Sequence, residues 1–149
     1  TNKVIYLIGK TYRIHSLDRM ELADELQKRA EKADWVCDAL IEINMGSELS
    51  KSGFSVEEAY DAYRALKKYP NIRLKGLMGM LPISENCEYL RSLCLSVRKI
   101  YDKIREKDDL FEHLSMGMSQ DWRLCVECGS NMIRLGTTLF GPRNYPQTL

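Results

Sequence analysis

The chain has 149 residues, enough for one domain with a sizeable core. Its 22 basic and 21 acidic residues leave a net charge of +1, so nothing electrostatic recommends nucleic acid or an acidic membrane as a partner. No apolar run approaches membrane-spanning length, and five scattered cysteines, an odd number, suit a reduced, cytoplasmic protein better than a disulfide scaffold.

Strand-like and helix-like patterns alternate along the chain. The segment Val4 to Gly9 sits where a helix following an earlier strand would sit. A short strand over Tyr12 to Ser16 precedes a helix from about Asp18 to Lys32, in which Leu22, Leu26 and Ala30 recur every four residues. Asp38 to Asn44, rich in branched residues, is the next strand. A loop with Gly46 and Gly53 follows. Ser55 then caps a helix, with Glu58 completing a capping box and Val56, Ala59, Tyr60, Tyr63 and Leu66 forming the buried stripe. Pro70-Asn71 stops it. Leu74 to Met80 is a strand closed by Pro82. A long helix from about Asn86 to Arg105 carries Leu90, Leu93, Cys94, Val97, Ile100, Tyr101 and Ile104 on one face. Leu114 to Met118 is a strand, after which Ser119 caps a short helix that Gly129 ends. Met132 to Leu135 is the last strand.

Alternation of this kind predicts a parallel sheet with covering helices. Repeats of roughly 30 residues fit a barrel or a doubly wound sheet. A Rossmann fold is disfavoured, because no Gly-x-Gly-x-x-Gly follows a strand. About five strands are visible where a closed barrel needs eight. The start at Thr1-Asn2-Lys3 shows no leading strand, so the chain reads as the C-terminal part of a barrel, residues 1–149 forming one partial domain.

In a barrel the functional residues gather at the C-terminal ends of the strands. Those ends here are His15-Ser16, Asn44, Met78 to Met80, Met118-Ser119 and Gly136-Thr137. Ser119 before a helix, with Gly136 and Thr137 at the neighbouring strand end, can aim hydroxyls and amides at a phosphate. Taken singly, Ser119 is a helix cap and Gly136 a turn; taken together they favour a phosphate cup. Arg134 shares Gly136's side of its strand, either as a structural ion pair or as a donor to a ligand in the barrel mouth. His15 is as readily a satisfied buried histidine as a residue facing a ligand. Asn44 is followed by a Gly-punctuated loop with Lys51, but the Walker pattern is absent. Cys125-Val126-Glu127-Cys128 has metal or redox spacing without a second pair, so it reads as small residues on a short helix and no metal site is expected.

The segments "IEINMGSELSKSGF", "LKGLMGM", "HLSMGMSQDW" and "MIRLGTTLFGPRNY" resemble, in order, the pyridoxal phosphate homeostasis proteins, the YggS-like or PROSC family. The resemblance implies an α/β fold, the (β/α)8 TIM barrel of the alanine racemase N-terminal type, here about the last five β/α units with the first three strands missing. It implies pyridoxal 5′-phosphate as cofactor, with Ser119, Gly136 and Thr137 at the phosphate, Met118 beside them and Arg134 facing the pyridine nitrogen. His15 and Asn44 join them as further candidates. An arginine there keeps the nitrogen unprotonated and makes the cofactor a poorer electron sink. The family's cofactor lysine would lie before Thr1; Lys51 matches the family's "SKSG" loop and not that lysine. The implied function is cofactor binding in vitamin B6 homeostasis, with no catalysis. The alternative is a pyridoxal-phosphate-dependent amino-acid racemase, which needs a second acid/base residue and usually a further domain. A third reading is a fragment acting only as a folding or interaction unit. The expected partners are pyridoxal phosphate and either a second copy or the missing N-terminal segment.

Overall fold

The computed structural model describes residues 4–46 and 52–142. Strands β1 (Arg13–Leu17), β2 (Cys37–Asn44), β3 (Ile72–Met80) and β4 (His113–Met116) form one sheet in the order β1-β2-β3-β4, every pair parallel. Parallel neighbours require crossovers. Helices α1 (Met20–Lys32), α2 (Ala59–Leu66) and α3 (Cys87–Arg105) supply them. Two short helices, α4 (Trp122–Glu127) and α5 (Thr137–Phe140), follow β4.

Side-chain alternation splits the sheet into two faces. Cys37, Ala39, Ile41 and Ile43 of β2 join Leu77, Leu114 and Met116 in the core beneath the helices. Asp38, Leu40, Glu42 and Asn44 take the opposite, inner face, where Met78 and Ser115 register beside Glu42. The inner face is itself largely covered: Leu40, Glu42, Met78 and Ser115 are all buried.

Local chemistry sets the helix starts. Asn86 caps α3 by accepting the Tyr89 amide at 3.0 Å. Ser55 and Glu58 make the expected capping box, the Glu58 amide reaching Ser55 Oγ at 3.2 Å and the Ser55 amide reaching Glu58 Oε2 at 3.2 Å. Regular helix begins only at Ala59, after a turn.

Four expectations need correction. Val4–Tyr6 is a single 3-10 turn. Helix α1 opens at Met20 and not at Asp18, whose carboxylate is held by Arg19 at 2.5 Å. Strand β4 ends at Met116, and Ser119 does not cap α4. Asp121 holds the N-cap position, and its Oδ1 accepts the Met118 amide at 2.6 Å. Finally, Met132 to Leu135 is no strand: it makes one isolated parallel bridge, Ser115 with Met132. Side chains take over its ladder. Asn131 Oδ1 accepts the Leu114 amide at 2.8 Å, and Ser130 Oγ accepts the Met116 amide at 3.2 Å. The segment still follows β4, with the Arg134 amide donating to Gly117 O at 3.0 Å.

Asp108 ties the helical layer together. Its buried carboxylate accepts Tyr63 Oη at 3.0 Å, the Leu110 amide at 3.2 Å, and the Lys67 ammonium. Burial alone would push Asp108 up, but the Lys67 and Tyr63 bonds, the Lys67 charge and the Leu110 amide outweigh it and hold it below its ordinary value. A depressed carboxylate stabilises the fold above its unfolded-state value near pH 3.9 and loses that contribution as pH falls through the folded value. Asp108→Asn is expected to cost about 1–3 kcal/mol at neutral pH. In urea denaturation the gap between variant and parent closes under acid. A pH-independent gap would mean that the charge plays no part.

Candidate functional site

A cavity of about 840 Å³ opens at the C-terminal ends of β3 and β4. One wall is the loop after β3 with the first turn of α3, from Leu81 through Leu90. The other is the turn Met118 to Asp121 with α4 and the segment from Arg134 to Gly141. Met118, Ser119, Arg134, Gly136 and Thr137 all line it. His15 and Asn44 do not; they stand on β1 and β2.

Ser119 reaches the site through the β4–α4 turn. Its Oγ accepts the Thr138 amide at 3.2 Å, which brings the hydroxyl onto the first turn of α5. Gly136 leads into that turn, and a Cβ added there would meet nothing within 4 Å. The backbone at Gly136 is therefore open to close approach by a ligand. Thr137 adds a second hydroxyl beside it. Two hydroxyls and the amides of one turn form a neutral donor set of the kind that holds phosphate oxygens.

Arg134 is clamped at the junction of cavity and inner face. Its Nη1 donates to Ser115 Oγ at 2.6 Å and Ser115 O at 3.0 Å, and its Nη2 to Gly79 O at 3.0 Å. A guanidinium has five N–H donors, so some remain for a ligand. Burial lowers its pKa from the ordinary arginine value, against the neighbouring Asp121 and Glu42 carboxylates, and it stays cationic. Arg134 in turn acts on its neighbours. Burial lowers His15, and the charges of Arg134, Arg13 and His113 lower it further, so the imidazole is neutral at pH 7. Burial and the Asp18 carboxylate raise Glu42, while Arg134 and a hydrogen bond from Ser52 oppose them.

Glu42 and Ser115 were not singled out by the sequence reading. Glu42 had a signal: a carboxylate at an alternate position within an apolar strand needs a partner. Ser115 had none, since a serine in a strand reads as filler. Lys51 lies outside the described residues. Among the described residues, no group of acidic, histidine or cysteine side chains could hold a metal ion, and no helix is long and apolar enough to cross a membrane.

Comparison with known proteins places the chain in a family. The chain is 45% identical over 146 residues to the pyridoxal phosphate homeostasis protein of Aquifex aeolicus, covering 97% of this chain and 64% of that one. It is 32% identical to the protein of the same name from Escherichia coli K12, covering 88% and 56%. The chain thus spans less than two thirds of the length of these relatives. PipY of Synechococcus elongatus, solved with pyridoxal phosphate bound, superposes with a TM-score of 0.80 at 26% identity, over 94% of this chain and 66% of that one. Alanine racemase of Clostridium difficile shares the fold, with a TM-score of 0.76 at 21% identity over 97% of this chain and 37% of that one. The family model for the N-terminal domain of alanine racemase matches residues 8–144, and the chain belongs to that family, on the side of the pyridoxal phosphate homeostasis proteins that its motifs resemble.

Proposed function

We propose that this chain binds pyridoxal 5′-phosphate in a protein of vitamin B6 homeostasis and is not itself a catalyst. One observation carries the reading: Ser119, from the turn after β4, and Arg134, Gly136 and Thr137, from the segment after α4, line the same cavity. Ser119, Gly136 and Thr137 hold the phosphate, with Met118 beside them. Arg134 sits at the pyridine nitrogen. When bound, the cofactor supplies an aromatic ring able to draw electrons from attached amino compounds. A fixed positive charge at Arg134 keeps a proton off the ring nitrogen and weakens that pull. His15 on β1 and Asn44 on β2 stand outside the cavity lining and remain further candidates beside it. Likeness to alanine racemase supports the shared fold alone.

The same reading makes residues 1–149 one partial domain. Four strands and the Met132–Leu135 segment supply about the last five units of an eight-stranded barrel, with the cofactor lysine on an earlier strand. The protein is cytoplasmic, and its ligand is the cofactor.

Pyridoxine 5′-phosphate and pyridoxine test the phosphate cup, since neither carries an aldehyde to react with lysines. In calorimetric titration the phosphorylated form is expected to bind at least about tenfold more tightly, worth about 1.4 kcal/mol. Ser119→Ala should weaken it about 5- to 30-fold, the loss of one or two hydrogen bonds to a charged group, and leave pyridoxine unchanged. Equal affinities for the two ligands would refute the cup.

A further inference from the structure

Helices α3 and α4 meet at sulfur. Cys94 on α3 and Cys125 on α4 are fully buried, with Sγ atoms 3.8 Å apart. Cys128, one turn beyond Cys125, is 4% exposed and stands close enough to Cys94 for the two thiols to influence one another. The Arg91 Nη1 lies 3.9 Å from Cys128 Sγ. Buried cysteines ordinarily pack as small apolar side chains. Three of the chain's five thiols gathered at one helix junction, two of them with sulfurs in contact, are a different arrangement, because a single reaction can join two of them. The other two stand apart: Cys37 is buried in β2 and Cys87 is exposed at the start of α3.

We propose that Cys94, Cys125 and Cys128 are an oxidation site, at which a peroxide oxidises Cys128 and a disulfide then joins Cys94 to α4. In the first step the Cys128 sulfur takes the terminal oxygen of hydrogen peroxide. The O–O bond breaks, leaving a sulfenic acid and one water. In the second, the Cys94 sulfur attacks the oxidised sulfur and expels its hydroxyl as a second water. Two thiols lose two electrons and one peroxide gains them. Cys125, within reach of Cys94, can exchange into the bond and release Cys128. For the exchanged Cys94–Cys125 bond, closing from 3.8 Å to about 2.05 Å is within reach of side-chain rotation.

The site adjoins the cavity. Leu90 of α3 and Leu124 of α4 line it. A Cβ on Gly117 would come within 3.1 Å of Cys125 Cβ, so the start of the Met118–Ser119 turn rests on this cysteine. Burial raises Cys128 despite Arg91, and the Cys125 hydrogen bond together with burial raises Cys94. The thiols are therefore protonated at neutral pH, and oxidation is slow there and faster in alkali.

The full chain is treated with excess hydrogen peroxide in mildly alkaline buffer, alkylated, digested and mapped by mass spectrometry without reduction. The expected product is a peptide pair joining Cys94 to Cys125 or Cys128, reversed by dithiothreitol. Cys94→Ser should abolish it. Because that residue is fully buried and its loss can unfold the chain, Cys128→Ser is the second variant, expected to slow cross-linking by about tenfold through loss of the entry thiol. The proposal is overturned if Cys94 stays alkylatable while Cys87 is oxidised, or if disulfides form only between Cys87 residues of two copies. No cofactor enters this measurement, so its failure is distinct from failure of the phosphate cup.

Discussion

Gly76→Ala is expected to abolish cooperative folding. Gly76 opens the β3–β4 pairing, in register with His113. A Cβ there would lie 1.8 Å from His113 O and 2.6 Å from His113 C. Both are backbone atoms, so no side chain can swing away. Relief requires the strands to separate, which breaks the adjoining bond from the Glu112 amide to Lys75 O at 2.9 Å. It also disturbs Leu77 and Leu114, two fully buried residues paired one step further on. The cost should exceed about 4 kcal/mol, much of the about 5–15 kcal/mol that holds a domain. Urea denaturation followed by circular dichroism would show no cooperative transition, or one shifted to far lower urea. Gly136→Ala is the matched control. Open space surrounds it, so stability should change by less than about 1 kcal/mol while affinity for the phosphorylated ligand falls. A Gly76→Ala chain that unfolds like its parent would mean that the strands do not approach this closely.

The two glycines show what a sequence can and cannot say. Periodicity reports which face of an element is buried, and there the reading was sound. On α3, Leu90, Cys94, Val97, Tyr101 and Ile104 are buried, and Leu93 and Ile100 pack against the core. On α1 the burial is centred on Ala23, Leu26 and Ala30, with Leu22 only partly covered. Competition between side chains and backbone is invisible to periodicity. Ser130 and Asn131 take hydrogen bonds that a fifth strand would have made, so an apolar run became one bridge. Asp121 holds the N-cap position of α4 without a side-chain bond to the helix, and its carboxylate instead closes the preceding turn by accepting the Met118 amide. Freed from that role, Ser119 contacts the first turn of α5, and the residues expected at the phosphate come to one cavity by a different local route. Ser115 stayed hidden because its importance lies in its bond to Arg134, a contact no spacing reveals, whereas Glu42, under the influence of the same arginine, was signalled by its place in an apolar strand.

The isolated chain is expected to self-associate, and the reason is concentrated at β1. That strand ends the sheet order, so among the described residues its outer edge meets no other strand. An unpaired edge is a template for pairing with another chain. Tyr6 and Tyr12, before β1, are 71% and 83% exposed. In and just after β1, Arg13 Nε, His15 Nδ1 and Asp18 Oδ1 are buried with no hydrogen-bond partner among the described residues. Each such atom costs about 1–3 kcal/mol. Together they offset a large part of the about 5–15 kcal/mol of a typical domain. A second copy, or a strand from elsewhere in a longer protein, would satisfy both the edge and the orphaned atoms. Sedimentation equilibrium of the 149-residue chain should therefore give a mass of at least a dimer at micromolar concentration. Tyr12→Lys, which places a charge beside the edge, should shift the equilibrium toward monomer. A well-folded monomer with one cooperative thermal transition would show that the four-stranded sheet stands without a neighbour at β1.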